Sequence, residues 1–150
     1  MIQEKIFKKG AKYHQFFAVQ LAAQKATDAI TSDSEKRIGV VWHTTGAGKS
    51  LSMVFLVALL RQLENPSFVI QVDRNDLDNQ LHDQFVSARS LVGAVKHAAS
   101  VDHLRDLLQT EGGEVILTTI EKFQLKEEAE GQREIRHPLP SERSNIIVIA

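Results

Sequence analysis

The run His43-Thr44-Thr45-Gly46-Ala47-Gly48-Lys49-Ser50 contains the residue types that hold a polyphosphate. Backbone N–H groups of a glycine-rich turn converge on phosphate oxygens. A lysine directly after such a turn reaches the terminal phosphates, and the next hydroxyl ligates magnesium. Here those residues are Lys49 and Ser50, and Thr45, Gly46, Ala47 and Gly48 form the turn. The strict pattern begins with glycine where this chain has His43, so the motif is intact only from Gly46 onward. The competing reading is a chance Gly-Lys-Ser in a surface turn, and the context argues against it. The apolar run Ile38-Gly39-Val40-Val41-Trp42 precedes the loop, and an almost unbroken apolar stretch, residues 51–60, follows it. Strand, glycine turn and helix, in that order, is the setting the motif requires. The helix would aim the positive end of its dipole at the same anion.

The elements that position the loop can be read from periodicity. Residues 15–30 suit a helix with Phe16, Val19, Leu21, Ala22, Ala26 and Ile30 on one stripe. Residues 31–35 are a polar loop. Residues 37–42 are expected to be the first buried strand. Residues 49–63 are expected to be a helix, apolar on most faces, that Asn65-Pro66 stops. Further strands are expected at 68–72, 115–118 and 145–150, with a short one at 91–95. Helices are expected at 76–88 and 101–110, the second capped by Ser100. Residues 124–144 are charged, contain Pro138 and Pro140, and read as an exposed, mobile loop. Residues 1–12 read as a lead-in. Continuous apolar strands alternating with helices predict an α/β domain, a parallel sheet with helices on both faces. Ligands of such sheets bind beyond the carboxyl ends of the strands, where the glycine loop is expected.

Composition narrows the classes further. With 150 residues, 43% hydrophobic and 25% charged, the chain is one globular domain's worth of sequence. Its net charge of −1 provides no global basic field for nucleic acid, although a local basic groove remains open. Cysteine is absent, so there is neither a disulfide framework nor a thiolate metal site; this fits a cytosolic (cytoplasmic) protein. The stretch 51–60 is too short to cross a bilayer, which argues against a membrane partner. Lys5, Lys8 and Lys9 lack the apolar core of a signal peptide behind them. The six histidines, at 14, 43, 82, 97, 103 and 137, form no metal-ligand pair at helical spacing and read as surface or packing residues.

Four further segments join the loop: Lys12-Tyr13-His14-Gln15 upstream, Val72-Asp73-Arg74-Asn75-Asp76-Leu77 after the second strand, Thr118-Thr119-Ile120-Glu121-Lys122-Phe123 after a later one, and Asn145-Ile146-Ile147-Val148-Ile149-Ala150 at the end. In this order they resemble the motifs of the first motor domain of a superfamily 2 helicase. They are most similar to the R (restriction and translocation) subunit of type I restriction enzymes, from about Tyr13 to Ala150. In that family the first loop position is often His, as His43 is here.

The resemblance implies a RecA-like P-loop NTPase domain, here incomplete, that binds ATP with Mg2+ in a prokaryotic cytoplasm. It implies that Gln15 reads the adenine edge; an amide can bond N6 and N7 together. The plainer alternative for Gln15 is a polar residue at a helix N-terminus. Tyr13 is a candidate to stack near the base. Asp73 and Arg74 match a segment that touches one DNA strand, with a salt bridge capping the next helix as the alternative. Thr118 and Thr119 match a second segment on the DNA backbone, with a helix N-cap as the alternative. Such contacts would be independent of sequence, as a motor on double-stranded DNA requires. The implied partners are the modification and specificity subunits of a restriction complex.

In the resembled family the last strand leads into Asp-Glu-Ala-His, which holds magnesium and activates water. This sequence ends at Ala150, so the 150 residues alone are expected not to hydrolyse ATP. The strand between the loop strand and the acidic strand also comes later in that family. Its absence would leave a gap in the sheet, with unpaired N–H and C=O groups. Three alternatives stand beside this reading. One is another superfamily 2 DNA motor. A second is a small P-loop kinase, for which 42 residues before the loop are too many and Arg133, Arg136 and Arg143 too thin a lid. The third is an inert truncated product.

Overall fold

The computed structural model describes residues 9–31, 36–63, 65–72, 75–110, 112–123, 143 and 145–150. The elements in chain order are α1 (Tyr13–Thr31), α2 (Lys49–Leu60), β1 (Ser67–Val72), α3 (Asn75–Ser87), α4 (Arg89–Val92), β2 (Val95–His97), α5 (Val101–Leu108), β3 (Val115–Thr119), a 3-10 turn (Ile120–Phe123) and β4 (Ile146–Ile149). The sheet order is β2-β3-β1-β4. Every pairing is parallel, with Phe68 opposite Val115 and Ile147, and Val95 opposite Val115.

Side chains alternate across a strand, so each strand feeds two cores. Phe68 and Ile70 of β1 and Val115 and Leu117 of β3 face one side, where Val54, Val57 and Leu60 of α2, Leu81 and Phe85 of α3, and Val92 of α4 meet them. Val69 and Ile116 face the other side, against Leu104, Leu107 and Leu108 of α5. β1 and β3 are therefore covered on both faces, which explains their unbroken apolar sequence. The expected α/β architecture is present: a parallel sheet with helices on both faces.

α1 packs chiefly on α2. Its buried stripe is Gln15, Val19, Ala26 and Ala29, narrower than the sequence suggests. Phe16, Leu21 and Ile30, expected inward, are exposed because α1 meets a helix rather than the sheet.

Two expected strands are corrected. Residues 37–42 are not a strand. Val40 is 91% exposed and Trp42 89%, and Gly39 has a φ of +137°. The segment takes no part in the sheet, so its backbone has no ladder to join. The short strand expected at 91–95 begins at Val95 instead, because residues 89–92 close a helical turn first. Gly93, at φ +85°, ends that turn. Elsewhere Ser100 caps α5 as expected, its side chain accepting from the His103 N–H at 3.1 Å. Of the loops expected at 31–35 and 124–144, Thr31 closes α1 and Arg143 is described; the rest lies outside the described residues, as do residues 1–8 of the lead-in.

At the amino ends of the strands, Arg143 ties three elements together. Its guanidinium donates to the Thr110 carbonyl at 2.5 Å, to Ser67 Oγ at 3.2 Å and to Asn145 Oδ1 at 3.1 Å. It thus joins the chain just past α5, the start of β1 and the lead into β4. Sequence reading considered this residue only as part of a lid.

Candidate functional site

The site is the turn that opens α2. A 12-residue helix is about 18 Å long, close to the length of a six-residue strand. β1 follows α2 in the chain, and Val54, Val57 and Leu60 of α2 share a core with Phe68 and Ile70 of β1. The start of α2 therefore lies level with the carboxyl end of the sheet, where ligands of such folds bind.

The turn is built by two glycines in the left-handed region, Gly46 at φ +79° and Gly48 at φ +82°. Side chains avoid this conformation and glycine does not. The Ala47 N–H closes the turn on the Thr44 carbonyl at 3.2 Å. Gly48 is the N-cap of α2 and brings no side-chain acceptor. The N–H groups of Gly48, Lys49 and Ser50 make no backbone hydrogen bond among the described residues. Unsatisfied N–H groups at a helix start are an anion site in waiting. Lys49 Nζ rests on the His43 carbonyl at 2.9 Å, folded back over the turn. Ser50 lies beside it in the first turn of α2. This donor set (several N–H groups, one ammonium, one hydroxyl) fits a magnesium-bound polyphosphate.

The first turn of α1 reaches this loop. Gln15 is 3% exposed. Its Oε1 accepts the Lys12 N–H at 2.8 Å, the reach-back half of a capping box. Its Nε2 donates to the Gly48 carbonyl at 3.0 Å. The polar N-terminal role and the nearness to the glycine-rich loop therefore coincide in one side chain. The amide is turned into the loop rather than out to solvent. A Cβ placed on Gly48 would meet Gln15 Nε2 at 2.6 Å, so the contact itself requires glycine at 48. His14 Nε2 lies 3.2 Å from the Ala47 carbonyl. Its ring meets the His43 ring edge to face, centroids 5.3 Å apart. His43 Nδ1 is buried and has no hydrogen-bond partner. Tyr13 is exposed and packs on Phe17, with centroids 4.7 Å apart.

The structure thus gathers Gln15, Thr45, Gly46, Ala47, Gly48, Lys49 and Ser50 into one place. Sequence reading assigned His14 to the surface or to packing and missed its contact with the loop. Its adjacency to Gln15 was the available signal.

The second group of expected residues is less accessible. Asp73 and Arg74 lie outside the described residues. Thr118 and Thr119 end β3 and are 0% and 1% exposed. Thr118 Oγ1 bonds the Thr119 carbonyl at 3.4 Å, and Thr119 Oγ1 is buried without a partner. Neither hydroxyl meets solvent in this structure. The exposed surface of this segment is the 3-10 turn that follows, with Ile120 and Glu121 outward.

A family model described as SWI2/SNF2 ATPase matches residues 14–150. The chain is 44% identical over 151 residues to the type I restriction enzyme HindI endonuclease subunit of Haemophilus influenzae, covering 97% of this chain and 14% of that protein. It is 34% identical over 146 residues to a relative from Methanocaldococcus jannaschii whose name places it among type I restriction enzyme endonuclease subunits, covering 93% and 13%. A type I restriction enzyme endonuclease subunit of Staphylococcus aureus strain COL is 34% identical over 111 residues, 73% of this chain and 11% of that protein. The chain spans about one seventh of the length of the first of these relatives. No solved structure matches it.

Proposed function

Because this chain belongs to the SWI2/SNF2 ATPase family, we propose that it is the ATP-binding part of an ATP-dependent motor on double-stranded DNA, within the endonuclease (R) subunit of a type I restriction system. The observation that carries this reading is the turn before α2: two left-handed glycines, three N–H groups without backbone partners, and Lys49 folded over them. A SWI2/SNF2 ATPase uses ATP, and the finer assignment follows the donor chemistry. Thr45, Gly46, Ala47 and Gly48 wrap the phosphates, Lys49 neutralises the terminal ones, and Ser50 ligates Mg2+. Magnesium bridges phosphate oxygens and offsets the charge that develops on them. Gln15 turns from the Gly48 carbonyl to read adenine. Asp73, Arg74, Thr118 and Thr119 belong to the two segments that contact the DNA backbone. The motor works in the cytoplasm with modification and specificity subunits, which read the DNA sequence. Among the described residues, no helix is long and apolar enough to cross a membrane.

The reading is tested with Lys49→Ala in the intact protein. ATP binding and DNA-stimulated ATP hydrolysis should both be lost. Wild-type ATP affinity in that variant would sink the proposal, and phosphoryl transfer to a small molecule would point to a kinase.

A further inference from the structure

We infer that His14 is a positioning residue of the phosphate loop: by holding the Ala47 carbonyl it turns the Gly48 N–H toward the bound anion. The inference rests on the reading of the loop as a polyphosphate site. In a trans peptide the C=O of one residue and the N–H of the next point in opposite directions. Whatever grips a loop carbonyl from behind therefore aims the following N–H to the front.

Two consecutive loop carbonyls are gripped by two consecutive side chains of α1, and the grips differ in weight. The Gly48 carbonyl is held by the helix in any case. It accepts from the N–H groups of Leu51 and Ser52 at 3.1 Å each, as well as from Gln15 Nε2. The Lys49 N–H is thus aimed by α2 itself. The Ala47 carbonyl precedes the helix, and its partner is His14 Nε2. A carbonyl only accepts, so Nε2 carries the proton. The Ala47–Gly48 peptide is also the one most free to turn. Gly48 on one side of it and Gly46 before Ala47 have positive φ and no side chain to hinder rotation. Turned over, the peptide would present its carbonyl oxygen to the phosphates and withdraw an N–H. His14 is itself held in place. It stands on the first turn of α1, which Gln15 anchors, and its ring rests against His43. The effect acts on the phosphates and is indifferent to the base.

The test uses the intact protein and three variants, with ATP, GTP and inorganic tripolyphosphate as ligands. His14→Phe keeps a ring against His43 and removes the donor; His14→Gln restores a donor. Losing one hydrogen bond of this kind should weaken ATP and tripolyphosphate alike by about threefold to tenfold. The preference between ATP and GTP should not change, and His14→Gln should recover most of the loss. Because His14 is exposed, the thermal melt of His14→Phe should match the wild type. Tripolyphosphate affinity unchanged in His14→Phe overturns the inference. A loss confined to ATP, or one that His14→Gln does not repair, overturns it as well. Lys49→Ala separates the two levels. If that variant still binds tripolyphosphate, the loop is not the phosphate site and the underlying reading fails. If Lys49→Ala loses tripolyphosphate and His14→Phe does not, only the role of His14 fails.

Discussion

Residues 37–42 and β1 are both short apolar runs, and only β1 is a strand. β1 lies between β3 and β4, so its N–H and C=O groups have partners on either side. Its side chains are buried on both faces. Residues 37–42 have no neighbouring strand in the described sheet, and Val40 and Trp42 stand in solvent. Gly39, at φ +137°, adds a bend where a strand would need regular backbone. Apolarity makes a run available for burial, and a ladder partner makes it a strand. The loop that follows is nevertheless formed. Its geometry comes from its own glycines, from α2 and from α1, none of which needs the preceding strand.

This contrast can be broken by substitution, measured as stability of the purified chain in denaturant. The largest effect is expected at Phe68→Ala in β1. Phe68 is fully buried between α2 and the sheet, and its loss should cost about 3–5 kcal/mol. A cost below about 1 kcal/mol would show that the sheet is not the core. Next comes Arg143→Ala. It leaves the Thr110 carbonyl and Ser67 short of a charged donor and loosens the lead into β4, a cost of about 1.5–3 kcal/mol. Gly48→Ala sharpens the comparison from the loop side. The new Cβ would be strained at φ +82° and would collide with Gln15 Nε2, so about 1–3 kcal/mol should be lost together with ATP affinity. Retention of both would mean that the loop adopts a different shape in solution. The smallest effect belongs to Trp42→Ala, within about 0.5 kcal/mol, as for other exposed positions. Trp42 is the only tryptophan, so its fluorescence reports on the segment directly. Quenching by acrylamide as free as that of an exposed indole is expected. A shielded Trp42 would show that residues 37–42 pack against something in solution.

Much of this molecule is legible in its residues. β1, β3 and β4 lie where apolar runs predict them, and Ser100 caps α5 where its type and position suggest. These depend on local pattern, the physics a sequence states directly. The loop is legible for the same reason, since two glycines and a lysine at fixed spacing build it from within. The burial of Thr118 and Thr119 was not legible, because hydroxyl residues at a strand end read alike whether a helix covers them or not. The exposure of Phe16 and Leu21 was equally hidden, since it depends on what α1 packs against.

The sequence by itself determined the glycine-rich loop, the alternation of strands and helices, and the family. These follow from side-chain type and spacing along one chain. Tertiary structure decided the rest: that the apolar run before the loop stays outside the sheet, that Arg143 buckles the amino ends of the strands, and that His14 and Gln15 grip carbonyls 33 residues away. Each depends on groups distant in sequence meeting in space. Hydrogen bonding and burial are satisfied by whichever neighbour the fold supplies, and no local pattern names that neighbour.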